Sequence, residues 1–409
     1  MTSRERLLTA YEGRPVDHTP LTTWCFGLSA PPALKRERDG QPRDYWYSLR
    51  MEHLHTIAVP WTLQDDFRRV QAWQSLGVDD LLDVSIPWSM SPEVKFTDSL
   101  LPAGASDAYA VRAREYETPS GRLRQAVRQT DPEPPGWPIQ PDCVPLLEDF
   151  NIPRAVEHAV SNPAEVPIIR HLFAPPDEAA RAWFAQRMED IAPFARAEGI
   201  AVQAWSAFGM DGVVWLTGTE GAIMMALDEP EAFGELVDII AATDYARTEL
   251  ALSSPEVDLV VQRGWYSSTD FWSPALFDRF VFPHLQELAA LTHRHGRKLG
   301  YVMTTGVKKL GPRLADAGVD VLYFVDPLQD AVDLNWAREE LAPRMTLVGG
   351  CNALTVGSGD PRRIEAEVCH ALQSLAGTNR FILHPVDALF PDTPWSGVEA
   401  MIEAWKRCW

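Results

Sequence analysis

The function of this chain is narrowed first by what it lacks. No stretch of its 409 residues approaches the roughly 18 consecutive apolar residues that a membrane-spanning helix needs. The start, Met1-Thr2-Ser3-Arg4-Glu5-Arg6, has no apolar signal segment, so a cytoplasmic protein with no membrane partner is expected. Cysteine is sparse and odd in number, with Cys25, Cys143, Cys351, Cys369 and Cys408 in neither CxxC nor CxH spacing. That argues against a disulfide framework and against a zinc site built mainly of thiolates. Basic residues number 37 against 57 acidic ones, and a net charge of −20 repels nucleic acid, which is therefore not an expected partner. No GxGxxG or P-loop pattern follows any candidate strand, which leaves nucleotide binding unsupported.

What is present reads as a single α/β domain over 1–409. With 46% hydrophobic and 23% charged residues the chain can bury a large core. Runs rich in β-branched and aromatic residues predict strands at 21–26, 81–86, 199–205, 258–264, 298–303, 319–325, 346–349 and 380–384. Helical patterns are expected over 1–13, 43–58, 63–76, 152–161, 176–197, 231–252, 274–295 and 395–407. Eight strands separated mostly by helices predict a (β/α)8 barrel of the TIM type, with a doubly wound open sheet as the alternative. Alternation on either side of Thr118-Pro119-Ser120-Gly121 predicts a β-hairpin inserted at about 106–130, and a proline-rich connector follows at 131–142.

In a barrel the strand C-terminal ends converge on one site, so candidates can be taken strand by strand. His384, three residues before Asp387, has the chemistry of an acid or base near neutral pH, or of a buried histidine bonded to a loop carbonyl. Asp387 can orient His384, bind a cation or cap the turn before Pro391. Asp270 reads as a pocket carboxylate or as the N-cap of the helix that Ser273-Pro274 opens. Trp88, Trp205, Trp265 and Trp272 suggest an aromatic-walled pocket for a flat or apolar substrate. Arg263, Tyr266, Tyr301, Met303, Tyr323 and Asn352 sit at the same strand ends. Cys351 follows Gly349-Gly350, where backbone can approach a ligand closely, although a free cysteine is also a small apolar core residue. Cys351, His384 and Asp387 could ligate zinc only if the fold makes them converge.

Several segments share a pattern with a known family. They are Arg4-Glu5-Arg6-Leu7-Leu8…Gly13-Arg14-Pro15-Val16-Asp17, Tyr116 to Leu123 in the hairpin, Ser273-Pro274…Pro283…His295-Gly296-Arg297-Lys298, Ala317-Gly318-Val319-Asp320, Gly349-Gly350-Cys351-Asn352 and Phe381-Ile382-Leu383…Thr393-Pro394. In this order they resemble the uroporphyrinogen decarboxylase superfamily, and the Thr-Pro-Ser-Gly hairpin is closer to its cobalamin-associated methyltransferase branch. The resemblance implies a barrel, a homodimer and a corrinoid protein as partner. Decarboxylases of the family carry Arg-Gln-Ala-Gly-Arg-Tyr after the first strand; here the region is Thr23-Trp24-Cys25-Phe26-Gly27-Leu28, so porphyrinogen decarboxylation is not expected. The methyltransferases hold zinc through His-x-Cys-Gly after strand five and a cysteine after strand eight. Tyr301-Val302-Met303-Thr304 and Asp387 stand there instead, so zinc of the usual family type is not expected.

The resulting expectation is a methyltransferase or demethylase for a small aromatic or apolar substrate, with His384, Asp387, Asp270 and Tyr301 as acid/base groups. A repurposed decarboxylase or lyase and a noncatalytic binding barrel are the alternatives. An inward-facing Arg263 or Arg170 would favour the lyase, because a carboxylate substrate needs a cation.

Overall fold

A computed structural model of the protein describes residues 1–38, 40–48, 60–104, 107–130, 134–137 and 143–409. Helix α1 (Ser3–Tyr11) starts in a capping box, with the Glu5 N–H donating to Thr2 Oγ1 at 3.2 Å and the Thr2 N–H to Glu5 Oε2 at 2.8 Å. Two small antiparallel ribbons follow, β1 (Phe26–Ser29) with β4 (Tyr45–Tyr47) and β2 (Arg36–Arg38) with β3 (Gln41–Arg43). Helix α2 (Leu63–Ser75) leads into β5 (Leu81–Ser85), the first strand of the main sheet.

An antiparallel four-stranded sheet is then inserted, in the order β6 (Lys95–Leu101), β7 (Ala110–Thr118), β8 (Gly121–Gln129) and β9 (Ala155–Glu157). Helices α3 (Ile169–Leu172) and α4 (Glu178–Glu198) return the chain to β10 (Ala201–Ala207). After it come α5 (Met210–Thr217), α6 (Thr219–Asp228) and α7 (Pro230–Leu252), then β11 (Leu259–Gln262). Helices α8 (Pro274–Phe280) and α9 (Phe282–Arg294) precede β12 (Lys298–Val302), and α10 (Val307–Ala317) precedes β13 (Val321–Val325). Helix α11 (Leu334–Glu340) leads to β14 (Thr346–Asn352), and α12 (Ala353–Gly357) and α13 (Pro361–Ser374) to β15 (Phe381–Val386). Helix α14 (Trp395–Cys408) ends the chain.

The main sheet is curled and has seven parallel strands in the order β15-β14-β13-β12-β11-β10-β5. Its strands are buried on both faces, as expected where helices cover a parallel sheet. Alternate residues serve two cores. Leu81, Ala201, Leu259, Val261, Val321, Val348 and Ile382 meet on the concave face, where Trp24, Trp205, Tyr323 and Phe324 fill the space. Their neighbours Leu82, Val202, Val260, Leu322, Leu347 and Leu383 belong to the layer that packs against the helices. Gly349, at φ 147°, marks one tight point in the sheet: a Cβ there would lie 2.4 Å from the Val325 carbonyl oxygen.

Among the described residues the main sheet has seven strands rather than the eight expected. The predicted first strand, 21–26, makes only isolated parallel bridges, Leu21 to Leu383 and Cys25 to Leu389. Leu21 nevertheless reaches toward both outer strands, because Thr22 N–H donates to Leu383 O at 3.0 Å and Asp79 N–H to Leu21 O at 2.7 Å. The inserted hairpin falls where expected and is widened by β6 and β9. The helix expected at 152–161 is a 3-10 turn over Asp149–Arg154 followed by β9, whose Glu157 pairs with Ala126; Pro153 has no N–H to extend a helix. Of the helix expected at 43–58, 45–47 is strand β4, and 49–59 lie outside the described residues, as does most of the connector at 131–142.

Cys369 on α13 and Cys408 on α14 form a disulfide with a Cα–Cα distance of 5.4 Å, contrary to the expectation of none. Their 39-residue separation gave no sign of it; packing of α13 along α14 brings them together.

A buried ion cluster ties α2 to the sheet. Arg69 Nε meets Asp66 Oδ1 at 2.9 Å and Nη1 pairs with Asp80, just before β5, all three side chains being buried. Removing the cation strands two carboxylates in a dry layer. Arg69→Leu should therefore lower stability by about 3–5 kcal/mol, read as a shift in the urea unfolding midpoint. Thiol titration in denaturant should count the three free cysteines, Cys25, Cys143 and Cys351, and two more only after reduction.

Candidate active site

A cavity of about 650 Å³ lies at the C-terminal ends of β5, β10, β11 and β15, within the size range of small-molecule sites. Trp88 enters its wall after β5, Trp205 and Phe208 at the end of β10, Arg263, Trp265 and Tyr266 after β11, and Asp387 and Phe390 after β15. Further parts of the wall come from elsewhere: Phe26 on β1, Trp137, Glu148 and Asp149 on the segment between β8 and β9, Trp183 and Arg187 on α4, Trp215 on α5 and Arg247 on α7.

The floor is set by a buried ion pair one turn long on α7. Arg247 donates to Ile86 O from Nε at 3.0 Å and Nη2 at 2.8 Å, and to Asp244 Oδ1 from Nη1 at 2.9 Å. Asp244 Oδ2 accepts the Phe208 and Gly209 N–H groups at 2.9 and 2.8 Å. The backbone leaving β5 and the backbone leaving β10 are thus held by one helix. Burial pushes the Asp244 carboxyl up and the Arg247 guanidinium down, each opposed by the other's charge.

A second cluster forms the wall at β11. Arg263 Nε donates to Asp211 Oδ2 at 3.2 Å, and its Nη2 pairs with Asp149 Oδ2. Asp211, fully buried on α5, also accepts the Tyr266 N–H at 2.9 Å. Trp215 Nε1 donates to Asp149 Oδ1 at 2.6 Å. The guanidinium lies 4.7 Å from the Trp215 ring centroid and 4.5 Å from that of Trp265. Burial pushes Asp211 up to about 7; the Arg263 charge and the Tyr266 N–H oppose the shift, and the Asp149 charge adds to it.

Beneath the cavity the concave core holds a polar chain. Asp83 Oδ1 accepts from Gln203 Nε2 at 2.9 Å and from Trp205 Nε1 at 2.8 Å, and Tyr323 OH donates to Gln203 Oε1 at 2.5 Å. This fixes the indole of Trp205, which stacks on Trp265 with centroids 5.9 Å apart.

Of the residues proposed from sequence, Trp88, Trp205, Trp265, Tyr266, Arg263 and Asp387 come together around the cavity. The others do not line it. His384 is buried in the concave core, its Nδ1 at 3.0 Å from Thr22 Oγ1 and its ring edge-on to Trp24. Tyr323 is in the same core, stacked on Trp24. Tyr301 and Met303 point to the other face, into the layer under the helices, where Tyr301 OH bonds Ser267 and burial pushes its pKa up. Cys351 shares that face, and burial raises its thiol well above the usual range. Asn352 caps α12, accepting the Leu354 N–H at 2.8 Å, and donates to Asp326 at 2.6 Å. Asp270 is exposed and accepts from Thr305 Oγ1 at 2.5 Å; the N-cap of α8 is Ser273. Trp272 is core, its Nε1 donating to Tyr266 O at 2.6 Å.

Cys351 pairs in register with Pro385, and Gly350 with His384, so the thiol and the imidazole leave the sheet on opposite faces. Among the described residues no three His, Cys, Asp or Glu side chains gather as a metal ion would require. The donors do not fit zinc. Arg170 is exposed and paired with Glu235, away from the cavity.

The uroporphyrinogen decarboxylase family model matches residues 207–408. No functionally curated protein matches the chain by sequence. Among solved structures, a methyltransferase from Methanosarcina mazei superposes over 100% of this chain and 99% of its own, with TM-score 0.56 and 16% identity, a likeness of fold. A 3-keto-D-glucoside 4-epimerase from E. coli covers 62% of this chain and 97% of its own at TM-score 0.36 and 11% identity, too distant to argue from. The matched segment runs from Ala207, the last residue of β10, through β11 to β15 and into α14, and over it the chain is similar to the uroporphyrinogen decarboxylase family.

Proposed function

We propose that the protein is a methyltransferase or demethylase whose small, aromatic or apolar substrate occupies the cavity, with a corrinoid carried by a separate protein as the other methyl carrier. The observation that carries this reading is the lining itself: Trp88, Trp205, Trp215 and Trp265, with Phe208 and Tyr266, face one space beside a small set of charged groups. The likeness in fold to a protein named a methyltransferase supports it. On the same proposal the chain is a single domain whose sheet closes as a barrel through residues 20–25, and it works as a cytoplasmic homodimer. No described helix is long and apolar enough to cross a membrane.

A methyl group moves by in-line displacement, so the heteroatom it leaves gains an electron pair and needs a proton, while an accepting heteroatom must lose one. Asp387 is the carboxyl group on the β15 side of the cavity and takes that acid/base role. The aromatic walls exclude water and orient the ring, and Arg263, held by Asp211, sets a cation in the cavity wall. His384 and Tyr301 support the sheet rather than touch substrate, and no step runs through zinc. A decarboxylase or lyase is the second reading, favoured by the Arg263 guanidinium on the cavity wall.

Methylation of reduced free cobalamin by an aromatic methyl ether, followed spectroscopically, tests the assignment. Turnover is expected, with Asp387→Asn lowering kcat about 10²-fold and Tyr301→Phe leaving it within about threefold. Carbon dioxide release from an aromatic acid without any change in the cobalamin would replace methyl transfer by the lyase reading.

The Asp211 carboxyl also sets a pH dependence. Its folded value, about 7, lies above the unfolded value of 3.8, so its contribution to stability is full below about pH 4 and lost as pH rises through 7. Between pH 5 and 7 the wild type should lose stability relative to Asp211→Asn, by at most about 1.4 kcal/mol per pH unit in urea titrations.

A further inference from the structure

The environment of Arg263 is that of a carboxylate-binding subsite with an internal occupant. Its two carboxylate partners are unequal. Asp211 is fully buried and fixed by the Tyr266 N–H, whereas the Asp149 side chain keeps 35% of its surface exposed. Asp149 opens the short 3-10 turn between β8 and β9 of the inserted sheet, and its neighbour Glu148 also lines the cavity. Two donors on different elements converge on its carboxylate: Arg263 Nη2 takes Oδ2, and Trp215 Nε1 takes Oδ1. This arrangement reads both oxygens of a carboxylate at once. The guanidinium is also held between the Trp215 and Trp265 rings, so it remains in place when its exposed partner leaves.

We propose that Asp149 is a stand-in for a carboxylate on the substrate, so that the ligand class is aromatic carboxylates. The ring lies against the tryptophan wall, and the ligand's carboxylate replaces Asp149 on Arg263 and Trp215. The exchange conserves charge around Arg263, with one buried carboxylate from Asp211 and one from the ligand, while Asp149 moves to water. A neutral aromatic has nothing to exchange and leaves Asp149 where it is. The inference rests on the cavity being the substrate site and is independent of which reaction follows.

Calorimetric titration of the full chain with benzoate and its neutral isostere benzamide tests it, without any cofactor. Asp149→Ala removes the internal competitor and should tighten benzoate about tenfold or more while leaving benzamide within about twofold. Trp215→Phe keeps the ring and removes one donor, and in the Asp149→Ala background it should weaken benzoate about fivefold or more. Arg263→Gln should abolish the preference, but it leaves Asp211 buried beside a neutral amide, and the Trp215 variant decides the matter if that chain does not fold. Equal tightening of both probes in Asp149→Ala would overturn the proposal, because Asp149 would then only fill space. Benzamide binding with no benzoate preference in any variant would also overturn it while leaving the aromatic cavity standing, whereas failure of every probe would sink both readings.

Discussion

The site depends on one buried ion pair. Asp244 and Arg247, a turn apart on α7, take up the carbonyl of Ile86 and the N–H groups of Phe208 and Gly209, backbone that leaves two neighbouring strands in a dry region. Each of those groups left unsatisfied would cost about 1–3 kcal/mol, so the pair and the two loops stabilise one another. Trp88 and Phe208, on those loops, then form a cavity wall, with Phe208 lying 4.0 Å below the Arg247 guanidinium. Strand pairing gives the exits their spacing, and the ion pair gives them their direction.

Much of the architecture was legible in the sequence because parallel strands buried on both faces read as unbroken apolar runs, each set off by a helix with ordinary caps. The failures have local causes. The run 21–26 looked like a strand, yet it makes only isolated bridges, and the helix expected at 152–161 met Pro153 and the pull of β8 on its own partner strand. Strand-end position found Trp88, Trp205, Arg263, Trp265, Tyr266 and Asp387. It does not distinguish the two faces of a strand, and Tyr301, Met303 and Cys351, at the same strand ends, point under the helices. Counting by twos from the apolar concave residues would have separated them.

Other site residues left little trace. Asp149, Trp183, Trp215 and Arg247 come from a connecting segment and three helices, and only the fold makes them neighbours. Asp244 and Arg247 did leave a sign: opposite charges at helical spacing within the otherwise apolar stretch of α7. Of the residues that stand where the resemblance implies metal ligands, Tyr301 and Met303 brace the sheet, while Asp387 faces the cavity. The charged groups of this chain gather on the other side, around Arg263.

The ends of the remaining strands are tied up among themselves. Asp330 accepts the Gly306 and Val307 N–H groups that start α10, and Asp326 accepts from Asn352 across the ends of β13 and β14. None of β12, β13 or β14 contributes to the cavity wall. The rim is therefore divided between an arc whose polar groups are spent on holding loops and an arc whose side chains surround open space. On the open arc Arg247 both faces the cavity and holds backbone, so a change of chemistry there is felt in stability as well.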